Sequence, residues 1–399
     1  MPLKILIGVS STPSRTGGIS TYSKILAKAL SNHGHHVYYL CPITTNKEWF
    51  SYNSIPYFFV SEIESQVNEA QRTYNFIRKN QFDIIINNDN SILQSIAPLV
   101  NSCFISICHM ESRAIASLAC ANSSWCDYIV AISYDMYDSL IYKSKLNFTR
   151  VPIIFNGITI DQDEQKILSK NSDSQKPLRC IFSGHYSKHK GGDLFLKYLL
   201  SNKIPDNTEY YWYGDVPKHI SEKLNNLDHV KHIGRVTHDD FIQNLSKSDI
   251  LIFPSRQEGC PMSVLEAMKF GVVPVVSNGR GAMRHIVTHG QDGFVCNFKS
   301  YEQNLSIIIR RLETDRSYFQ SISTSAKRTC LTRFSIDSTV EKLLSLGMQP
   351  NVDRSSKPTE TRIFRWHRPG ISISNFKPSL KQRAYYRLGI LQEEGILRA

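Results

Sequence analysis

No apolar run in the sequence approaches the ~18 residues of a membrane-spanning helix, so no transmembrane segment is expected. No C-x-x-C pair occurs, and the nine cysteines are odd in number and scattered. That pattern argues against a zinc site and against a disulfide framework, and fits reduced thiols used as core filler. The opening residues, Met1-Pro2-Leu3-Lys4-Ile5-Leu6-Ile7-Gly8, lack the length and small-residue cleavage site of a signal peptide and read as a buried first strand. Internal repeats and long low-complexity tracts are missing too. So are zinc-finger spacing and RNP-like aromatic motifs, which removes the usual readers of nucleic acid. Acidic residues are the minority charge: 47 Lys and Arg against 35 Asp and Glu give +12. A basic surplus suits nucleic acid, anionic lipid or phosphorylated ligands without choosing among them.

The chain has 399 residues, 41% apolar and 21% charged, an ordinary globular balance for about two domains at ~100–200 residues each. Nearly continuous apolar runs, as strands buried on both faces require, fall at Lys4–Ser10, His36–Cys41, Phe82–Asn87, Phe104–Cys108, Tyr128–Ile132 and Val151–Phe155. Between the first two lies an amphipathic helix with Tyr22, Ile25, Leu26, Ala29 and Leu30 on one stripe. Ser20 or Thr21 can cap its start, and Gly34 lies just past its end. The alternation restarts after a polar stretch, with strands at Arg179–Ser183, Tyr210–Tyr213, Val230–Ile233, Ile250–Phe253 and Val272–Val276. Helices are expected at Asp193–Leu200, His238–Ser246, Met262–Phe270, Glu302–Leu312 and Ile336–Leu346. The fold class is therefore α/β, with two Rossmann-like, doubly wound parallel sheets facing a cleft. The expected division is a first domain at 1–162, a linker at 163–177, a second domain at 178–346 and a basic extension at 347–399.

The segment PSRQEGCPMSVLEAMKFG, from Pro254 to Gly271, follows an apolar strand and enters a helix. Gly259 and Pro261 shape the turn, with Pro261 suited to the first helical turn. The free N–H groups of Met262, Ser263 and Val264 make the helix start an anion site. Glu258 in the loop and Glu266 about one turn into the helix flank it, eight residues apart. A carboxylate that accepts two hydroxyls is a way to hold a sugar diol. The plainer reading leaves both as solvated acids. Asp161-Gln162-Asp163 matches a metal-binding D-x-D, but it lies in the linker and not after a strand, and is not read as a metal site.

This Glu-x7-Glu segment, with "FPS" before it and "EAM…G…PVV" around its end, resembles the retaining GT-B glycosyltransferases of the glycogen-synthase-like, family 4 type. Further matching pieces are Gly17-Gly18, His109 after "FISIC", "AIS" at 131–133, "FNGI" at 155–158, "GHYSKHKG" at 184–191, "YGD" at 213–215, "HIGRV" at 232–236 and "THGQDGFV" at 288–295. The resemblance spans most of residues 1–345. It implies transfer of a hexosyl unit from a nucleotide-diphosphate sugar to an acceptor hydroxyl with retention, by front-face attack and with neither a metal nor any other cofactor. By the same likeness, Glu266 would hold the ribose hydroxyls and Glu258 the donor hexose. The backbone of Gly259, Cys260, Pro261 and Met262 would lie near the sugar, and the amides of Ser263 and Val264 near phosphate. Lys190 would pair with the diphosphate, and Arg235 and Val236 would meet the base. Gly17 and Gly18 would approach phosphate and acceptor, and His109 a donor hydroxyl. His109, Lys190 and Glu258 are thus the implied catalytic residues.

Two departures stand out. His185 occupies the place of the family's usual Arg in G-R-x4-K-G, and His285 that of a usual Glu. Histidine lacks the guanidinium's fixed charge and fork, so Lys188 or Arg256 would have to substitute, or a phosphate neighbour would have to protonate His185. A second reading follows: a GT-B-shaped nucleotide-sugar-binding protein, catalytically weak, that scaffolds an assembly complex. The implied partners are a nucleotide sugar and a glycan or lipid-linked acceptor, in a cytoplasmic setting, with no nucleic acid. From Pro350 onward ten basic and four acidic residues place +6 in the last fifty, with a plausible helix at Leu380–Leu397. Such a tail suits peripheral association with the anionic inner face of a membrane, or packing on the two domains.

Overall fold

Parallel strands covered on both faces need an apolar residue at almost every position, and the computed structural model has them where those runs fall. It describes residues 1–10, 17–42, 55, 57–60, 66–111, 113–143, 146–160, 176–201 and 203–355. The Asp161–Asp163 motif, nearly all of the linker and the tail helix lie outside these. The chain forms two compact units: residues 1–155 with those from 336 onward, and residues 156–335.

In the first unit the strands are β1 (Lys4–Val9), β2 (His36–Pro42), β3 (Tyr57–Val60), β4 (Ile84–Asn88), β5 (Cys103–Cys108) and β6 (Tyr128–Ala131). All neighbours run parallel in the order β3-β2-β1-β4-β5-β6. Every residue of β4 and β5 is buried. The helices are α1 (Gly18–Asn32), α2 (Gln66–Asn80), α3 (Ser91–Ser95), α4 (Arg113–Cys120) and α5 (Tyr134–Asp138). Helix α1 begins earlier than its apolar stripe: Gly17 is its N-cap, and Ser20 and Thr21 lie inside it without capping. Gly34 follows the helix at φ 84°, as a left-handed end requires. Residues 151–155 make no strand. Ile153 forms one isolated bridge to Ala131, because Pro152 supplies no N–H to continue a ladder.

The second unit repeats the plan with β7 (Leu178–Ser183), β8 (Thr208–Tyr213), β9 (Val230–Gly234), β10 (Ile250–Phe253), β12 (Val273–Ser277) and β14 (Phe294–Cys296), in the order β14-β12-β10-β7-β8-β9. A two-residue parallel pair joins β11 (Gln257–Glu258) to β13 (Arg280–Gly281). The helices are α6 (Gly192–Leu199), α7 (Lys218–Asn225), α8 (His238–Ser246), α9 (Met262–Lys269), α10 (Met283–Ile286), α11 (Tyr301–Thr314) and α12 (Arg316–Arg333). Around Trp212 the core is aromatic, with Phe182 at 4.5 Å and Phe195 at 5.3 Å between ring centroids. Helix α12 is absent from the sequence expectation because Ser and Thr thin its apolar stripe to Phe319, Ile322, Ala326 and Cys330.

The last described helix, α13 (Ile336–Gly347), returns to the first unit. His33 at the end of α1 meets Asp337 at 2.9 Å. Gly347 sits so close to Ile84 that a Cβ would lie 2.1 Å from it. The next residues are bound to the same sheet. Asp127, wholly buried, accepts from the backbone N–H of Phe104 at 2.7 Å, of Asn351 at 2.7 Å and of Val352 at 2.9 Å, and from the Arg354 guanidinium. Tyr128 Oη donates to Gln349 O at 2.6 Å. Residues 348–355 therefore belong to the first unit's packing.

Burial pushes the Asp127 carboxyl up, but the hydrogen bonds from Arg354 and the backbone amides win and hold it below the ordinary carboxylate range. Its stabilisation is present at neutral pH and is lost as pH falls through that lowered value. Arg354→Ala leaves a buried carboxylate without its cation and should destabilise the first unit by about 3–5 kcal/mol. Urea unfolding checks this. An unchanged midpoint at neutral pH would show that the 348–355 segment contributes nothing, and the difference from wild type should shrink in acid.

Candidate active site

In the second sheet the order reverses between β7 and β10: β8 lies on one side and β12 on the other. The loops leaving the carboxyl ends of these two neighbours face each other, which is where doubly wound sheets open a ligand crevice. Gly191 allows the approach. It sits at φ 71°, and a Cβ there would lie 2.1 Å from Pro254 O. His189 O accepts from Arg256 N at 2.8 Å. Lys190 Nζ meets Glu258 Oε1 at 2.7 Å, and Ser255 Oγ donates to the same oxygen at 2.6 Å. Glu258 is thus a tied, largely shielded group and not a solvated loop acid.

Arg256 grips both oxygens of Asp193, at 2.7 and 2.8 Å, and donates to Lys188 O. It is a strut between the loops, so the expectation that it could replace a diphosphate-clamping Arg meets a guanidinium already engaged. His185, directly after Gly184, is exposed.

Helix α9 starts beside this pair. Pro261 is its N-cap, one position ahead of the first turn expected for it. Of the three amides expected to be free, Val264 N–H already donates to Pro261 O at 3.2 Å, because the first turn tightens. The N–H groups of Met262 and Ser263 have no acceptor among the described residues. Cys260 is buried between Gly259 and Pro261, its thiol pushed up to about 12 by burial, so it is no nucleophile. Glu266 is 5% exposed, and burial raises its carboxyl to about 7 against a smaller downward pull from Lys269. His238 Nε2 at the start of α8 approaches Glu266 Oε1 at 3.4 Å, a contact with no signal in the sequence pattern. Arg235 pairs with Asp215 at 2.7 Å in the open, next to half-buried Val236.

The first unit has its own reversal, between β1 and β4. Gly17 and Gly18 open α1 there, both exposed. His109, at the carboxyl end of β5, is buried, and burial lowers its imidazole to about 3, so the ring is neutral. Asn88 Nδ2 donates to Ser23 Oγ at 3.0 Å and turns its Oδ1 to His109 Nε2 at 2.8 Å. Nε2 then carries the proton, leaving Nδ1 as the bare acceptor.

Asp89, the next residue after β4, escaped the sequence reading. It sits at φ 61°, both carboxylate oxygens are buried, and neither has a hydrogen-bond partner among the described residues. The only signal was four polar residues in a row, Asn87 to Asn90, ending an apolar strand. Among the described residues no three potential metal ligands stand together.

Burial raises the Asp89 carboxyl to about 7, against an ordinary 3.8. For an acid this sign means that stability falls as pH rises between the two values and stays lower above them. Asp89→Asn should therefore be more stable than wild type near pH 8, by about 2–4 kcal/mol, with no advantage near pH 4. Denaturant titrations at both pH values test it. Equal stability near pH 8 would mean that the carboxylate does find a partner.

Two family profiles match the chain: glycosyltransferase family 4 over residues 16–162 and glycosyl transferases group 1 over residues 163–329. An uncharacterized glycosyltransferase of Haemophilus influenzae is 26% identical over 74% of this chain and 88% of its own. An uncharacterized 41.2 kDa protein in the cps region of Klebsiella pneumoniae is 24% identical over 46% of this chain, and the match spans about half (51%) of that protein. A UDP-Gal:alpha-D-GlcNAc-diphosphoundecaprenol alpha-1,3-galactosyltransferase of Escherichia coli is 25% identical over 40% of this chain and 41% of its own. In fold, the chain is similar to HepE of Anabaena crystallised with UDP, with TM-score 0.69 over 86% of this chain and 99% of that one at 17% identity. With the two profiles together covering residues 16–329, the chain belongs to the GT-B glycosyltransferases built from a family 4 first half and a group 1 second half.

Proposed function

We propose that this protein transfers a hexosyl unit from a nucleotide-diphosphate sugar to an acceptor hydroxyl, with retention of configuration and without a metal, in the assembly of a bacterial surface glycan. The observation that carries it is the pairing at one sheet reversal of Lys190 with Glu258, beside the open amides of Met262 and Ser263 and the buried Glu266. A nucleotide sugar presents hydroxyls at both ends and two negative phosphates between them. Carboxylates suit the hydroxyls, and an ammonium with helix amides suits the phosphates. In this reading Glu266 accepts from the ribose and Glu258 from the hexose. Glu258 exchanges Lys190 and Ser255 for sugar hydroxyls, and the freed Lys190 takes the diphosphate. The Ser263 amide supports phosphate, the Gly259–Met262 turn lies along the sugar, and Arg235 and Val236 meet the base.

As charge grows on the leaving diphosphate, fixed Lys190 and the helix amides stabilise it without metal. The shielded thiol of Cys260 offers no nucleophile, in keeping with attack from the leaving-group face, the acceptor's proton departing with the diphosphate. His109 keeps its proposed role toward a donor hydroxyl as a neutral acceptor through Nδ1, and Gly17 and Gly18 theirs toward phosphate and acceptor. The E. coli relative's diphosphoundecaprenol substrate and the Klebsiella relative's cps setting support a glycan or lipid-linked acceptor.

Incubation with UDP-, GDP- and ADP-sugars in EDTA, following donor hydrolysis and transfer, tests the proposal. Turnover with at least one donor is expected. Binding without turnover would turn the reading to a nucleotide-sugar-binding scaffold, and loss of turnover on chelation alone would return a metal to the mechanism.

The carboxylates should separate by readout. Glu266→Ala should weaken free nucleoside diphosphate binding by about 1–3 kcal/mol, the cost of ribose hydroxyls left without their acceptor. Glu258→Ala should lower kcat far more than nucleotide affinity, since it meets only the sugar. Calorimetry and initial rates on both variants decide. Normal nucleotide affinity in Glu266→Ala, or normal turnover in Glu258→Ala, would remove that residue from its role.

A further inference from the structure

Two imidazoles precede Lys190 on the loop after β7, and their rings make no hydrogen bond or ion pair with the described residues: His185 and His189. The frame that carries them is stiff. Gly184 N donates to Tyr213 O at 2.9 Å, Tyr186 N to Asp215 O at 2.8 Å, Gly191 N to Lys188 O at 3.1 Å and Lys190 N to Ser187 Oγ at 3.2 Å. His189 O is itself held by Arg256 N. Both side chains are exposed, so a ligand can reach them.

The charges around them are unevenly distributed. Lys188 and Lys190 share their loop. Each neighbouring carboxylate is already held by a permanent cation: Glu258 by Lys190, Asp193 at the start of α6 by Arg256, and Asp215 after β8 by Arg235. Neither imidazole forms an ion pair of its own with an acid among the described residues. Burial holds His189 below its ordinary value, Glu258 pulls it up, and Lys190 and His185 push it down. Two protonated rings next to two lysines would repel one another while the site is empty. A diphosphate reverses that balance, because an anion within ~4–6 Å favours the charged form of an imidazole.

We infer that His185 and His189 are a pair of diphosphate ligands and that a proton is taken up at this pair as the anion binds. This rests on reading the loop as the diphosphate side of the donor site. Where an arginine would present permanent charge, the pair gains charge as the ligand binds. Histidine at 185 is then a proton-coupled replacement for arginine and not a loss of function. Proton uptake on binding makes affinity rise as pH falls, by linkage.

The test is isothermal titration of the full chain with UDP-glucose, GDP-mannose and ADP-glucose. Their bridged diphosphates have no proton to gain or lose near neutrality. Each titration is run near pH 7.5 in HEPES and in Tris, which differ in heat of ionisation. Uptake of a sizeable fraction of a proton is expected, with affinity roughly three- to tenfold higher near pH 6.5 than near pH 8. His185→Gln and His189→Gln should each reduce the uptake, and the double variant should abolish it. His185→Arg should bind more tightly than wild type near pH 8 with less uptake. Binding with no buffer-dependent heat overturns the inference, as does uptake that survives in the double variant. Binding of none of the three donors by wild type sinks the nucleotide-sugar reading itself, and the inference with it.

Discussion

The ion pair between Lys190 and Glu258 is the contact on which the second unit's site depends. Where the order reverses, the chain leaves β7 toward β8 and leaves β10 toward β12, and the loops after β7 and β10 meet. Of the contacts that join those loops, one is a 2.7 Å ion pair, reinforced by Ser255 on the same carboxylate oxygen. Its net contribution to stability is small, because desolvating two charges offsets most of their attraction. Its value is positional. It sets an ammonium and a carboxylate at fixed distance, each facing a different part of a ligand, and it neutralises both until one arrives. Gly191, which no side-chain-bearing residue can replace against Pro254 O, makes the approach possible.

Each unit carries locally unfavourable polar groups. In the second, Glu266 is buried with its carboxyl raised, and Asn156 Oδ1 is buried without a donor among the described residues; in the first, both Asp89 oxygens lack one as well. Each such group costs about 1–3 kcal/mol relative to a satisfied one. None of the three lies in a sheet interior, where β5, β10 and β12 are buried throughout and largely apolar. The cores carry the stability, and the strand ends and the loops that follow them carry the polar groups.

Legibility followed range. The strands were readable because burial on both faces writes an unbroken apolar run, and ten of the expected runs match observed strands within two residues at either end. Glu258 and Glu266 stand out in the sequence because both lie in one loop-to-helix segment. Strand β14, three residues long, and α12, with its Ser and Thr, carry too little apolar signal to register. The amide of Val264 was misjudged because a tightened first turn depends on the geometry of Pro261 and leaves no trace in composition. Asp89 was overlooked because its lack of a partner is a three-dimensional fact. A polar run after a strand looks like any loop.

The latch at Asp127 was beyond any local reading. Its guanidinium partner lies 227 residues away, and nothing about Arg354 in a basic tail marks it as structural. Yet this contact and α13 define how the chain divides. The second unit is one continuous stretch, 156–335, whose sheet and core are complete within it. The first is discontinuous. Its α1 packs on a helix made after the entire second unit, and Asp127 at the head of β6 waits for amides at 351 and 352. The edge formed by β5 and β6 can reach its final packing only after residue 354 has emerged, whereas the donor-side unit can close earlier. An insertion or deletion near 348–355 therefore acts on the oldest part of the chain, through Asp127, and not on the basic extension alone.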